Sequence, residues 1–208
     1  MPARLAKTDF VGTGAVRYHV EGSMLALQVD YSEAPIPQHY YVSDYFRVAP
    51  LSASALLVFG KFDSIEKQDK LRSKLEVIFP ATTFLRQFWA SSRELHQTLK
   101  THAEKYGLKP PTNFQEMTAE KTQTVHSNNV LMVFSGDESL ADFYYLSPRE
   151  VYFKTKKRKE VDLEPLARVL LEPQLLLGFL NACESIADSL SKKFPEDKEA
   201  ISDSLESH

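Results

Sequence analysis

The chain has 208 residues, 43% of them hydrophobic and 25% charged, with a formal net charge of −3. That composition excludes a wholly disordered, collagen-like or heptad-repeat chain, and its acidic balance offers no uniform attraction to nucleic acid. The longest apolar runs, such as Ala55-Leu56-Leu57-Val58-Phe59, are too short to form a membrane helix. The basic N-terminus, Met1-Pro2-Ala3-Arg4-Leu5-Ala6-Lys7, has no apolar stretch behind it, so no secretory signal is expected. A single cysteine, Cys183, cannot form an internal disulfide, and the expected compartment is a reducing cytoplasm.

The first elements read as strands. Val16 to Glu21 alternates apolar and polar residues, and so do Leu25, Leu27, Val29 and Tyr31, with Gly22-Ser23 as a turn between them. The prolines of Ala34-Pro35-Ile36-Pro37 interrupt regular structure. Tyr40 to Val48 reads as the next strand, ended by Pro50, followed by Ala53 to Phe62, a polar loop over 63–70, and Leu75 to Phe79 up to Pro80. Beyond that proline the period changes. Phe84, Phe88, Leu95, Leu99, His102 and Tyr106 line one face of a helix, with Gly107 placed to cap its end.

Residues 108–120, with two prolines and no period, read as a linker. Asn129 to Phe134, Ser139 to Leu146 and Val151 to Thr155 are strand candidates, and Leu166 to Leu171 leads to Glu172-Pro173, a proline suited to a helix's first turn. Leu176, Phe179, Leu180, Cys183, Ile186, Ala187, Leu190 and Phe194 mark that helix's apolar face. The expected fold class is α+β, with antiparallel sheets each followed by a long amphipathic helix. The expected divisions are an N-terminal hairpin plus a first strand–helix unit (1–107), the linker (108–120), a second unit (121–194) and an acidic tail (195–208).

The halves share an order of events that suggests internal duplication, against the plainer alternative of one α+β domain with a common rhythm. Ser43-Asp44 sits opposite Ser127-Asn128, and Leu56 and Phe59 opposite Leu140 and Phe143. Val77-Ile78-Phe79-Pro80 lies opposite Val169-Leu170-Leu171-Glu172-Pro173, and Phe84-Leu85 opposite Leu176-Leu177, across an intervening loop of different length. Either half alone would leave sheet edges open and one face uncovered.

Tyr41-Val42-Ser43-Asp44-Tyr45-Phe46-Arg47-Val48, then Leu57-Val58-Phe59-Gly60, and the Val-x-x-x-Pro entry repeated in Val169 to Ile186, resemble a small bacterial family of unknown function. The resemblance spans about half the chain in each copy, and Tyr144 departs from it where the first half has Gly60. It implies a cytoplasmic bacterial protein and brings no activity, cofactor or site residues. In order of elements the chain is also similar to the SecB export chaperone, which implies holding of unfolded chains as one alternative function.

Chemistry-bearing patterns are sparse. His19, His39, His96, His102, His126 and His208 form no zinc-ligand spacing, and there is no Gly-x-Ser-x-Gly elbow. Cys183 falls on an apolar stripe where a thiol packs as a small hydrophobe. Gly12-Thr13-Gly14 precedes a strand, the wrong side for a dinucleotide loop. No enzyme, metal site or cofactor is expected. The expected role is macromolecule binding or assembly through protein–protein contacts, with a homo-oligomer possible. The candidate surface is Tyr41, Tyr45 and Arg47 together with Leu175, Leu177 and Leu180, since tyrosine and arginine anchor interfaces and the helix face is wider than one sheet would cover. The alternative is nucleic-acid binding by the run 154–159: Tyr152 would stack a base while Lys154, Lys156, Lys157, Arg158 and Lys159 meet phosphates. Its plainer reading is a solvated turn that guards an edge strand and pairs with the acidic tail.

Overall fold

A computed structural model describes residues 14–21, 24–62, 70–111 and 118–195. The N-terminal basic segment, Gly12-Thr13, the Gly22-Ser23 turn, most of the 63–70 loop and the tail from 196 lie outside the described residues. Among the described residues, ten strands and three helices of more than one turn follow in order. β1 (Val16–Glu21) and β2 (Met24–Val29) form an antiparallel hairpin of their own. β3 (Tyr40–Ser43), β4 (Tyr45–Pro50), β5 (Ser54–Phe62) and β6 (Leu71–Pro80) come next, and β6 runs directly into helix α1 (81–106). α1 is α-helical over Ala81–Thr83 and Ala90–Tyr106 but wound as a π-helix over Phe84–Trp89. It ends at Gly107, whose φ of 67° is the left-handed cap that glycine accepts without strain.

The second half comprises β7 (Ala119–His126), β8 (Asn129–Ser135), β9 (Glu138–Tyr145), helix α2 (Pro148–Lys156), β10 (Glu164–Leu171) and helix α3 (Pro173–Lys193). Pro173 opens α3, where its missing N–H is not needed. Three expectations are corrected. Val151 to Thr155 is helical and not a strand. The supposed linker contains the start of β7, so a boundary at 120 falls inside a strand. Tyr40 to Val48 is two strands in different sheets, because Ser43 and Asp44 turn the chain at the break.

The strand order is β3-β10-β9-β8 in one sheet and β4-β5-β6-β7 in the other. Both sheets are therefore mixed and not antiparallel throughout. β3 pairs parallel with β10, and β7 parallel with β6, so each half lends its first strand to the sheet built by the other half. The helices cross over in the same sense: α3 lies against β4, and α1 against β8. The long chain passage between the halves supplies the crossover that parallel pairing requires.

The registers of the two sheets recur along the chain. Tyr45–Gly60 and Pro50–Ala55 in β4–β5 correspond to Asn129–Tyr144 and Phe134–Ser139 in β8–β9, displaced by one constant interval. Ala55–Phe79 and Phe59–Leu75 correspond to Ser139–Leu171 and Phe143–Ala167. The parallel pairs Val77–Val125 and Ile78–His126 correspond to Val169–Tyr41 and Leu170–Val42.

Side chains at the strand breaks repeat too. Ser43 Oγ donates to the carbonyls of Tyr45 (2.6 Å) and Gly60 (3.0 Å), while Ser127 Oγ donates to those of Asn129 (2.9 Å) and Tyr144 (2.7 Å). Asp44 Oδ1 accepts from the Phe62 N–H at 3.0 Å, and Asn128 Oδ1 accepts from the Leu146 N–H at 2.8 Å. A buried hydroxyl at each break thus bonds backbone on both sides of the turn between sheets, and the Gly60 and Tyr144 carbonyls also accept the N–H groups of Asp44 (3.1 Å) and Asn128 (3.2 Å).

The main hydrophobic core draws on both sheets and on α1 and α3, while Tyr45, Val58 and Leu71 form a small separate cluster. At the centre of the main core Phe59 and Phe143, which hold equivalent register positions, lie with ring centroids 5.7 Å apart, and Phe179 is 5.0 Å from Phe59. Across the helices His96 Nε2 meets Asn181 Oδ1 at 2.8 Å. A smaller core under the β1–β2 hairpin contains Tyr18, Tyr144, Leu146, Val151, Val161 and Leu163. It places α2 beside the hairpin.

Candidate functional site

The Ser-Pro-x-Glu stretch at 147–150 starts α2: Ser147 Oγ accepts the Glu150 N–H, and Pro148 occupies the first helical position. Val151 and Thr155 are its buried side chains: Val151 belongs to the hairpin's small core, and the Thr155 hydroxyl donates to the Val151 carbonyl at 2.6 Å. At the other end Arg158 adopts a φ of 51°, and the Lys159 N–H returns to the Lys154 carbonyl at 2.9 Å. Tyr18 OH donates to the Lys159 carbonyl at 3.1 Å, which ties the turn to β1.

The outer face is aromatic and cationic. Tyr152 and Phe153 are 53% and 52% exposed, unusual for adjacent large rings, and they meet edge to face with centroids 5.2 Å apart. Lys156 Nζ sits 3.9 Å from the centre of the Tyr152 ring, and the Arg149 guanidinium 6.0 Å from that of Phe153. Lys157, Arg158 and Lys159 are exposed beyond them. Lys154 is different. Its ammonium is held by Asp162 at 2.6 Å and Glu150 at 3.1 Å, and the hydrogen bond to Asp162 raises its pKa above the usual lysine value. The basic run is thus divided, with one lysine spent on holding the helix and the remaining cations grouped around two rings. Phe153 and Arg149 were not singled out from sequence, although the Ser-Pro-x-Glu start was a readable sign of the helix that exposes them.

The other candidate residues do not come together. Tyr45 is 2% exposed and belongs to β4, whereas Tyr41 belongs to β3 in the other sheet and hydrogen-bonds Gln123 through its hydroxyl. Arg47 is half-buried. Leu175, Leu177 and Leu180 are 5%, 4% and 0% exposed within this single chain. The excess apolar width of α3 is therefore covered by β4 and the π-helical turn of α1, and those leucines offer nothing to a second subunit.

Buried titratable groups have structural partners. Asp142, with a side chain 2% exposed, receives two hydrogen bonds from Arg168, Nε to Oδ1 and Nη2 to Oδ2, each 2.6 Å. Burial and the neighbouring Asp142 charge push the Tyr144 phenol well above its ordinary range. Burial likewise pushes the Cys183 thiol well up, which disfavours the nucleophilic thiolate. Among the described residues, no group of three or more His, Cys, Asp or Glu side chains is arranged to hold a metal ion. No described helix is long and apolar enough to cross a membrane.

No family model, curated protein or solved structure matches the chain.

Proposed function

We propose that this protein is a non-enzymatic binding protein whose α2 face takes an apolar segment of another protein that carries charges of both signs. The body behind that face is read as two copies of a four-strand, one-helix unit that exchange their first strands. The recurring registers and the paired Ser43 and Ser127 hydrogen bonds support that reading of the body.

One observation carries the functional reading. The first half joins β5 to β6 through residues 63–70, whereas the second joins β9 to β10 through 146–163, which contains α2. The second connection has eighteen residues against eight in the first, so α2 and its exposed Tyr152–Phe153 pair sit in a longer stretch than the two strands need to be joined. Exposed rings flanked by arginine and lysine are what interface anchors consist of.

A protein partner is favoured over nucleic acid by the charges nearby. Glu150, Glu160, Asp162 and Glu164 lie among the cations of this stretch, and a phosphate backbone would be repelled by them. The mixed signs suit the rim of a protein interface. The nucleic-acid reading retains one specific support, the Lys156-Lys157-Arg158-Lys159 run beside Tyr152. A SecB-like holding role is not favoured, because exposed apolar residues are scattered between Val20, Leu25 and Leu27 on the hairpin, Val42 on β3 and the rings of α2.

The test is a comparative pull-down from the native host with the full chain and its Tyr152→Ser/Phe153→Ser and Lys156→Glu/Arg158→Glu variants. The expected result is a protein retained by the native chain and lost by both variants. Its affinity, measured by anisotropy, should fall roughly thirty-fold with the ring substitutions, from about 2 kcal/mol of anchor energy. Identical captured sets would refute the proposal, and capture of nuclease-sensitive material with a steep salt dependence would replace it with the nucleic-acid reading.

A further inference from the structure

A second site lies outside α2, along the free edge of β8. β3, β8, β4 and β7 stand at the edges of the two four-stranded sheets. An edge strand presents a row of unpaired backbone groups, which short length, charge or proline ordinarily guards. β3 has four residues, β4 carries Arg47 and Pro50, and β7 carries Glu120 and Lys121. β8, Asn-Val-Leu-Met-Val-Phe-Ser, is seven residues long with neither charge nor proline.

An open cavity of about 450 Å³ borders this strand and is lined by four consecutive residues of it, Asn129 to Met132. Consecutive side chains leave a strand on opposite faces. Val130 and Met132 join the main core with Leu95 of α1, whereas Leu131 joins the smaller core with Val29 and Tyr31. A space that touches both faces of a strand whose other edge is paired to β9 is a slot along the free edge. α1 forms one wall through Leu95, and the hairpin forms the other through Leu27 and Val29. Leu25 and Leu27, on the same strand face as Val29, are 40% and 42% exposed, so that wall is apolar and uncovered. The backbone is turned toward the slot as well. In an antiparallel pair alternate residues direct both N–H and C=O away from the partner strand. The hydroxyl of Tyr31, itself part of the lining, meets the backbone of Val130. Pro50, which has no N–H to give, holds the place of Phe134 in the recurring register. Val130, Met132 and Phe134 are therefore the outward set, and among the described residues no backbone group outside β9 bonds Met132.

We infer that the slot takes an extended, uncharged peptide segment as a fifth strand beside β8, bonded through its backbone to Met132, with alternate side chains against Leu95 and against Leu27 and Val29. Charge decides the chemistry of the segment. The lining holds one charged residue, Arg86, which already has a partner within the chain, so a charged side chain entering the slot would be left unpaired. The walls select a lone segment over a second copy, whose own β8 edge is flanked by its own α1 and hairpin. The inference is independent of the reading of α2.

The experiment is an amide NMR titration of the full chain with a blocked hexapeptide of alternating valine and threonine, and with the same peptide methylated on every backbone nitrogen. The expected result is one-to-one binding of the first, with shifts centred on Val130, Leu131 and Met132. The methylated peptide keeps the side chains but has no backbone donors, and should bind at least about tenfold more weakly. Met132→Pro removes an outward N–H while leaving the ladder to β9, and should abolish binding; Met132→Leu should bind as the native chain does. Absence of binding by the native chain, equal affinity for the two peptides, or shifts centred elsewhere would each overturn the proposal without reference to any variant. Unchanged binding by a folded Met132→Pro protein would do the same. Dimerisation of the free chain that Met132→Pro abolishes would assign the edge to a second copy, and would overturn it too.

Discussion

Removing the guanidinium of Arg168 should be one of the costliest surface-to-core changes in this protein. Asp142 projects from β9 with its side chain 2% exposed, and both of its oxygens are bonded to Arg168 at 2.6 Å. The Tyr144 hydroxyl also donates to Asp142 Oδ2, at 3.4 Å, too long to replace a bidentate charged pair. Arg168→Met therefore leaves a buried carboxylate uncompensated, a situation that costs about 3–5 kcal/mol. Arg168 is itself 20% exposed, so water reaches its side of the pair and the lower figure, about 3 kcal/mol, is the expected one. Loss of its contact with the Tyr40 ring, centred 5.8 Å away, adds about 0.5 kcal/mol. In a urea titration with a slope of about 2 kcal/mol/M, the midpoint should fall by roughly 1.7 M. The double variant Asp142→Leu/Arg168→Met removes both charges and should recover to within about 1 kcal/mol of the native chain. A single variant costing under about 1 kcal/mol, or a double variant as unstable as the single, would refute the reasoning that the pair's penalty lies in the stranded carboxylate.

Other changes have equally definite outcomes. Cys183 should resist a thiol reagent in the native state and react at the rate of global unfolding, because its sulfur is fully buried and its pKa raised; rapid native labelling would contradict that placement. Ser43→Ala and Ser127→Ala should cost similar amounts, about 0.5–1.5 kcal/mol each by denaturant titration, since each removes a buried hydroxyl that bonds two backbone carbonyls. A large effect at one and none at the other would count against their equivalence. Gly178→Ala should destabilise by about 1–3 kcal/mol through overpacking against the Pro111 carbonyl and the Phe46 ring, and Phe46→Val in the same chain should relieve the ring's share of that loss in a double-mutant cycle.

Local signals in the sequence were informative where an element had one wet face and one buried face. The β1–β2 hairpin, the β4–β5 and β8–β9 pairs, the Gly107 cap and the proline start of α3 all follow from alternation, helical period or the known preferences of glycine and proline. β7 was invisible because Ala-Glu-Lys-Thr-Gln-Thr-Val-His has almost no apolar alternation: as an exposed edge it is held by backbone pairing to β6 and by contacts such as Thr124 with Glu76. The break at Ser43-Asp44 was hidden because aromatic and β-branched residues flank it on both sides, and strand propensity does not record which sheet a strand joins. The same propensity made Val151-Tyr152-Phe153 read as a strand, although the preceding serine, proline and glutamate specify a helix start. As for the site, the basic run and Tyr152 were legible as charge and aromaticity, but burial was not. Leu175, Leu177 and Leu180 read as surplus surface only because the strand that covers them, β4, comes from the other half of the chain.

That exchange between halves can be tested by cutting the chain between β6–α1 and β7, within residues 112–117, and purifying fragments 1–114 and 115–208 separately. The first retains β3 without β10 and β6 without β7, and the second has the converse deficits. The account predicts that neither fragment is a cooperatively folded monomer, and that mixing them forms a one-to-one complex with the circular dichroism and single unfolding transition of the intact chain. Two fragments that each fold alone as stable monomers and ignore one another would contradict it.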